Sequence, residues 1–336
     1  MAANHLAVLS AQRPRIYLPA NGTTRARQRL ANTLPGKSMK WKAIRLASWV
    51  MAPMAGTILM QSFRVDLPVR VNLLLDRLHA CGALPSDGLT IAVPSAVLGR
   101  NRIYLRNYTR DGDLVAYSKI GFGKDDVGFF AREVLALERL HNNVGFVVPE
   151  VLSRGHTPEI GSFLVTRPLP SIFGATPYRG TDAIEQLKTV IGDRPETEPM
   201  STVTSSWWFQ LALPRLDEPT RIFLEKMMAG LRTASVAPAH GDFGGENVFC
   251  AVDGRLSILD WENFDLKAPI LTDMISQWIG VNHKLVARRP DAAFANFSAT
   301  FPEAKLDVVL ALVFQIAVGL TEARTLLTQI VRKEYR

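Results

Sequence analysis

Residues 240–263 read HGDFGGENVFCAVDGRLSILDWEN, and how this stretch alternates between polar signals and apolar runs decides the fold. VFCAV (248–252) and LSILD (256–260) are short runs of strand character separated by the turn signal Asp253-Gly254, so they predict a hairpin. A hairpin brings its two ends together, which predicts that Asn247 and Asp260 meet although they are far apart in sequence. Asp242 stands five residues before Asn247, inside His240-Gly241-Asp242. An amide carbonyl and a carboxylate are the hard oxygen donors that magnesium prefers. A further carboxylate beside an acceptor hydroxyl or amine orients it and takes its proton. Phosphoryl transfer from ATP asks a protein for little beyond such positioning and charge stabilisation. Asp242, Asn247 and Asp260 supply the side chains for those three jobs. Reading the stretch as a surface loop with incidental acids would require three spaced signals to coincide with the strand pattern by chance.

Working outward towards the N-terminus, TIAVPSAVL (90–98), RIYLRNYT (102–109) and DLVAYSKIGF (113–122) are β-rich runs divided by turn signals at Gly99 with Asn101 and at Asp111-Gly112-Asp113. DVGFFAREVLALERL (126–140) has helical periodicity, and two more extended runs follow around VVPEVLS and SFLVT. Five strands with one helix after the third make a small antiparallel sheet carrying a single helix. Strand alternation puts Lys119 on one face with Val115 and Tyr117, and Glu133 borders the buried face of the helix. Beyond Pro168 and Pro170 the chain reads as mainly helical, interrupted once by residues 240–263.

HGDFGGENV followed by LDWEN resembles the catalytic and metal-binding loops of the aminoglycoside and choline phosphotransferase-like kinases, small-molecule relatives of protein kinases. In that family His-Gly-Asp stands for His-Arg-Asp, and Asp-Trp-Glu for Asp-Phe-Gly. The resemblance continues into Ala268-Pro269 and Thr272-Asp273-Met274, where an Asp braces the catalytic loop, and it covers roughly residues 89–280. It implies an α+β, two-lobed, protein-kinase-like fold, with a small antiparallel sheet lobe and a mainly helical lobe. It implies ATP and Mg²⁺ as cofactors and an alcohol group of a small molecule as acceptor. By the same resemblance Asp242 is the catalytic base, and Asn247 and Asp260 are the metal ligands. Lys119 holds ATP phosphates and Glu133 holds that lysine. The turn at Gly99 and Arg100 covers phosphates, with Arg102 as a further donor, and the hinge around Val165 and Arg167 offers backbone groups to adenine. Two features depart from the protein-kinase pattern: that turn has one glycine in place of three, and Tyr117 stands where a small residue lies over the adenine.

Charge separates the rest of the chain from this core. The 336 residues carry a net +8, yet residues 1–80 hold 12 Lys/Arg against 2 Asp/Glu while the remainder holds 27 against 29. The expected organisation is a basic N-terminal extension (1–88), a nucleotide-binding β lobe (89–169) and a helical catalytic and substrate lobe (170–336). Residues 1–40 are turn-rich and predict loop, whereas Val71, Leu74, Leu75 and Leu78 predict a short helix over 68–80. Leu46–Phe63 is uncharged for 18 residues and sits at the lower edge for a membrane span. Its Pro53, Gly56 and Gln61 favour a core-packed or interfacial segment. With the basic residues around it, it makes an anionic membrane surface an expected partner beside the small-molecule substrate. Nucleic acid is not expected, since no interleaved aromatics or recognised module accompany the charge. The first ten residues lack the pattern of a secretory signal, and two isolated cysteines, Cys81 and Cys250, match a reduced cytoplasmic protein with no structural zinc. A basic wall after residue 274 (8 bases, 5 acids) does not suit a polycationic acceptor. Trp207, Trp208, Phe209 and Trp278 are readable either as a stacking site or as core. A catalytically inactive, kinase-like regulatory or nucleotide-binding protein is the alternative reading. It conflicts with Lys119, Glu133, Asp242, Asn247 and Asp260 all being present together.

Overall fold

Alternation along Leu114–Gly121 sorts one strand into two faces: Ala116, Ser118 and Ile120 are buried, while Val115, Tyr117 and Lys119 are half-buried on the other side. The computed structural model describes residues 5–8, 16–20, 23–32, 43, 46, 49–50, 64–95, 101–142, 145–169, 176–177, 182–191, 195–244, 247–250, 255–302 and 305–334. The chain forms two compact units, Met1–Val134 with Pro149–Pro168, and Leu135–Val148 with Leu169–Arg336. It is α+β, with an antiparallel-sheet unit and a mainly helical unit.

In the first unit β1 (His5–Val8), β2 (Ile16–Pro19) and β3 (Arg64–Val65) join β4 (Leu89–Pro94), β5 (Arg102–Tyr108) and β6 (Leu114–Gly121). After β7 (Phe146–Val147), which belongs to the second unit, β8 (Val151–Thr157) and β9 (Gly161–Thr166) complete one eight-stranded sheet. Its strands run in the order β3-β1-β2-β4-β5-β6-β9-β8, and every pairing is antiparallel. A buried polar rung fixes the central register: Thr90 Oγ1 donates to Asn107 Oδ1 at 3.0 Å, and Asn107 Nδ2 donates to Ser118 Oγ at 2.9 Å. A one-residue slip of β4, β5 or β6 would break this rung and turn a buried face outward.

Helices α1 (Thr24–Asn32) and α2 (Val69–Ala80) of this unit precede β4, and α3 (Asp126–Leu140), which runs on into the second unit from Leu135, follows β6. On α2 the buried residues are Val71, Leu74, Leu75 and Leu78, the stripe expected from their spacing. They pack with Ala92, Leu105, Ala116, Ile120, Phe163 and Val165, which places α2 on the sheet face opposite Lys119. The loop reading of residues 1–40 is corrected for part of that stretch. Ile16 and Leu18 of β2 and Ala26 and Leu30 of α1 bury together against Leu89, Ile91 and Tyr108. Too few apolar residues mark these elements, at i,i+2 and i,i+4, to stand out from the basic background. The sheet therefore has eight strands where the sequence suggests five. Within Leu46–Phe63 only Leu46, Trp49 and Val50 are described, all three exposed, and the rest of that run lies outside the described residues. Among the described residues no helix is long and apolar enough to cross a membrane.

The second unit holds two small sheets. β10 (Thr176–Pro177), β13 (Val248–Cys250), β14 (Leu256–Ile258) and β7 form one in the order β10-β13-β14-β7, with β7 parallel to β14. The other consists of β11 (Glu196–Pro199), β12 (Thr233–Ala239) and β15 (Asp265–Pro269). The sequence reading missed β11, β12 and β15, short strands that include Pro199, Pro238 and Pro269. Helices α4 (Asp182–Ile191), α5 (Met200–Ser205), α6 (Trp207–Ala212) and α7 (Glu218–Met228) precede β12. After β15 come α8 (Thr272–Arg288), α9 (Pro290–Thr300), α10 (Lys305–Val318) and α11 (Thr321–Glu334). Every residue of α10 from Val308 to Ala317 is buried, so this helix is the axis of the unit's core.

Candidate functional site

In the second unit Asp242 stands on the loop that leaves β12. β15 lies beside β12, and their register pairs Ala239 with Asp265, so the loop starts from a fixed strand end. His240 is fully buried. Its Nε2–H donates to Leu259 O at 2.9 Å, and its Nδ1 accepts the Asp242 amide at 3.2 Å. These partners require the neutral imidazole with its proton on Nε2. Trp261 and Phe243 pack on the ring edge-on, at 4.6 and 6.0 Å between centroids. Gly241 has φ 88°, and a Cβ there would stand 2.4 Å from Asn263 O, so only glycine fits.

Asp273, in the first turn of α8, takes the amides of His240 and Gly241 on its two carboxylate oxygens, each at 2.8 Å. This is the brace that the family resemblance led one to expect. Burial pushes its carboxyl above the ordinary value, while the amides of His240 and Gly241 pull the other way.

Asp242 itself is half-buried. Asn247 Nδ2 donates to Asp242 O at 2.9 Å and to Asp242 Oδ2 at 3.2 Å. That orientation puts the Asn247 carbonyl oxygen, the hard donor, on the side of the amide away from Asp242. The hairpin pairs Val248 with Ile258, and Leu259 N–H donates to Asn247 O at 2.9 Å. Asp260 is the next residue. It has φ 61° and ψ 60°, the one non-glycine residue with positive φ among the described residues. The hairpin thus brings Asn247 and Asp260 to one end, as its sequence predicts, while the turn at Asp253-Gly254 lies outside the described residues.

In the first unit, Lys119 on β6 lies opposite Tyr104 and Leu164 of the neighbouring strands. Its Nζ is 2.9 Å from both carboxylate oxygens of Glu133 on α3, and Glu133 is buried. The strand lysine and helix glutamate are therefore brought together. Tyr117 shares the Lys119 face, with the Arg106 guanidinium 5.7 Å above its ring.

Gly99 and Arg100 lie outside the described residues. Arg102 is 2% exposed and is not offered to phosphates as the sequence suggests. Its Nε donates to Asp126 Oδ1 at 2.5 Å, and its guanidinium sits 5.2 Å from the rings of both Phe129 and Phe130. Asp126 Oδ2 also accepts the Gly123 amide at 2.8 Å, which pins the start of α3. Val165 is fully buried in β9, between Ser118 and Ser153. Arg167 donates its amide to Glu150 O at 2.8 Å and its Nε to Glu150 Oε2 at 2.6 Å. Trp208, Phe209 and Trp278 are core residues of the second unit, and Trp207 Nε1 donates to Asp265 Oδ2 at 2.6 Å. Sequence reasoning missed Asp126, and it missed Gln315 of α10, whose amide reaches Gly241 O. The only sign of Gln315 in the sequence is that it is polar within VVLALVFQIA.

The chain is similar to several solved structures. A thermostable mutant of aminoglycoside phosphotransferase APH(4)-Ia, apo form, shares 14% identity over 77% of this chain and 98% of that chain, at a TM-score of 0.46. The GDP and kanamycin complex of APH(2")-IIia shares 12% over 80% and 99%, at 0.43. Choline kinase LicA from Streptococcus pneumoniae shares 14% over 78% and 97%, at 0.42. No family model and no curated protein matches the sequence. At such identities no function passes from these proteins to this chain.

Proposed function

We propose that this chain is an ATP- and Mg²⁺-dependent phosphotransferase acting on a hydroxyl group of a small molecule. The observation that carries the proposal is the loop of the second unit: Asp242 and Asn247 are hydrogen-bonded, and the hairpin brings Asp260 to the same end as Asn247. In this reading the Asp242 carboxylate accepts the proton of the acceptor hydroxyl as its oxygen attacks the γ-phosphorus. The bond from that phosphorus to the β,γ-bridging oxygen breaks, and ADP leaves with the electron pair. Asn247 Oδ1 and Asp260 are the donors that would hold Mg²⁺, which neutralises charge on the phosphate oxygens. The oxygen-only donor set and the outward Asn247 carbonyl suit that ion. Lys119, fixed by Glu133, pairs with the nucleotide phosphates. Asp273 and His240 act through the backbone and hold the loop before substrate arrives.

The test is ATP consumption against a panel of sugars, amino alcohols and amines, with Asp242→Asn as control. That variant is expected to keep its fold and its nucleotide affinity and to lose at least ~100-fold in turnover, the usual scale for a positioned base. Wild-type turnover in Asp242→Asn would overturn the assignment of the base. Attraction of the basic N-terminal residues to an anionic membrane surface, with an otherwise cytoplasmic location, belongs to the same proposal and rests on charge.

A further inference from the structure

One amide plane carries much of the loop's conformation. The peptide between Gly241 and Asp242 is planar, so its C=O and N–H turn together. Its N–H donates to His240 Nδ1 at 3.2 Å. Its C=O accepts from Gln315 Nε2 at 3.1 Å. The same Nε2 donates to Thr272 O, also at 3.1 Å, so one side-chain amide joins the loop to the first residue of α8. Gly241 is thereby held on both sides, its N–H by Asp273 and its C=O by Gln315. Glycine at φ 88° has no Cβ to bar rotation of the following peptide, so a flip there is opposed chiefly by these hydrogen bonds.

Gln315 is an unusual residue at this position. It is 0% exposed, in a helix whose other residues from Val308 to Ala317 are Val, Leu, Ala, Phe and Ile. Its Oε1 is buried without a hydrogen-bond partner, a situation that disfavours the folded state and that methionine would avoid. What the glutamine adds over a hydrocarbon of the same length is the pair of Nε2 hydrogen bonds.

We propose that Gln315 is a positioning residue that locks the Gly241–Asp242 peptide, and through it the Asp242 carboxylate, in the orientation used for phosphoryl transfer. The proposal rests on the phosphotransferase reading above. Gln315 touches neither nucleotide nor acceptor; it acts through the backbone. The lock is the counterpart of Asp273, holding the carbonyl where Asp273 holds the amides.

Two variants of the full chain test it, Gln315→Met and Gln315→Glu, with the fold checked by circular dichroism at each pH used. In Gln315→Met, kcat is expected to fall about tenfold or more, the scale of one lost hydrogen bond, with KM for ATP within about twofold of wild type. The Asp242 amide is expected to exchange with solvent roughly tenfold faster. In Gln315→Glu the protonated carboxyl donates one hydrogen bond to Gly241 O, and the ionised form repels both carbonyls. Its activity relative to wild type should therefore drop as pH rises, a trend absent from Gln315→Met. Wild-type kcat and wild-type Asp242 exchange in folded Gln315→Met would overturn the proposal. If Gln315→Met does not fold, Gln315→Glu decides, and a pH profile parallel to wild type overturns it. A wild-type protein inactive on the whole panel would instead overturn the phosphotransferase reading, and the exchange measurement would still decide whether Gln315 holds the loop.

Discussion

Asp260 occupies left-handed backbone that most side chains avoid, although Asp and Asn tolerate it better than others. Its conformation and its carboxylate can be separated by mutation. Asp260→Gly relieves the backbone but adds freedom to the unfolded chain, so unfolding free energy is expected to stay within about 1 kcal/mol of wild type. Asp260→Ala keeps the unfavourable φ without the tolerant side chain and should be the less stable of the two. Both variants are expected to lose the Mg²⁺-dependent tightening of ATP binding, measured by titration with and without the metal. Tightening equal to wild type in Asp260→Gly would show that the carboxylate is not a ligand. At this scale the sequence was informative wherever partners are local: His240, Asp242, Asn247 and Asp260 fall within one hairpin and its approach. Gln315 was not legible, because its partner Gly241 is 74 residues away and nothing near Gln315 announces the contact.

The elements divide along the same line. The bounds of α2 and α3 could be read from periodicity, since each has a dense apolar stripe. What anchors α3 could not. The Arg102–Asp126 pair joins its first residue to β5, with side chains only 1% and 8% exposed. Asp126→Ala leaves that guanidinium buried without its carboxylate and is expected to cost about 3–5 kcal/mol in denaturant unfolding. A loss under 1 kcal/mol would mean that water or another group replaces the partner. β1 carries a pH-sensitive contact of its own. His5 Nε2–H donates to Thr90 O at 3.2 Å. Burial lowers the His5 pKa to about 4, opposed by the Thr90 carbonyl and the Asp66 charge. Below about pH 6.5 the unfolded chain binds a proton that the folded chain refuses until about pH 4. Stability should therefore fall as pH drops through that window, by up to ~3 kcal/mol from this group. His5→Gln retains a donor for Thr90 O without titrating. The comparison of urea midpoints at pH 7 and 4.5 should show a smaller acid loss in this variant, and an equal loss would clear His5 of the effect.

For the whole molecule the uneven charge is the dominant feature, with 12 Lys/Arg against 2 Asp/Glu in residues 1–80. Near an anionic bilayer each such base contributes on the order of 1 kcal/mol, within a Debye length of about 8 Å. The full chain is expected to co-sediment with anionic vesicles at low salt and to release as salt rises. Indifference to the vesicles at low salt would leave the basic segment a purely structural role. Truncation near Pro85 is no clean control, because it strips β1, β2, α1 and α2 and uncovers the apolar sheet face that α2 buries. Neutralising exposed bases such as Arg25 and Arg70 in place is the sounder comparison. The pairing of β7 with β14 bears on how the chain comes off the ribosome. Phe146 and Val147 align with Leu256 and Ser257, yet they lie in sequence between the strands of the first sheet. At about 5–20 residues per second, β7 emerges several seconds before the strand that receives it. Neither unit is a continuous stretch of the gene product: the first is complete once Pro168 has been made, whereas the second holds residues 135–148 until the stretch from Leu169 onward follows. Splitting the chain at Pro168 to express two halves would hand the β7 strand to the wrong partner.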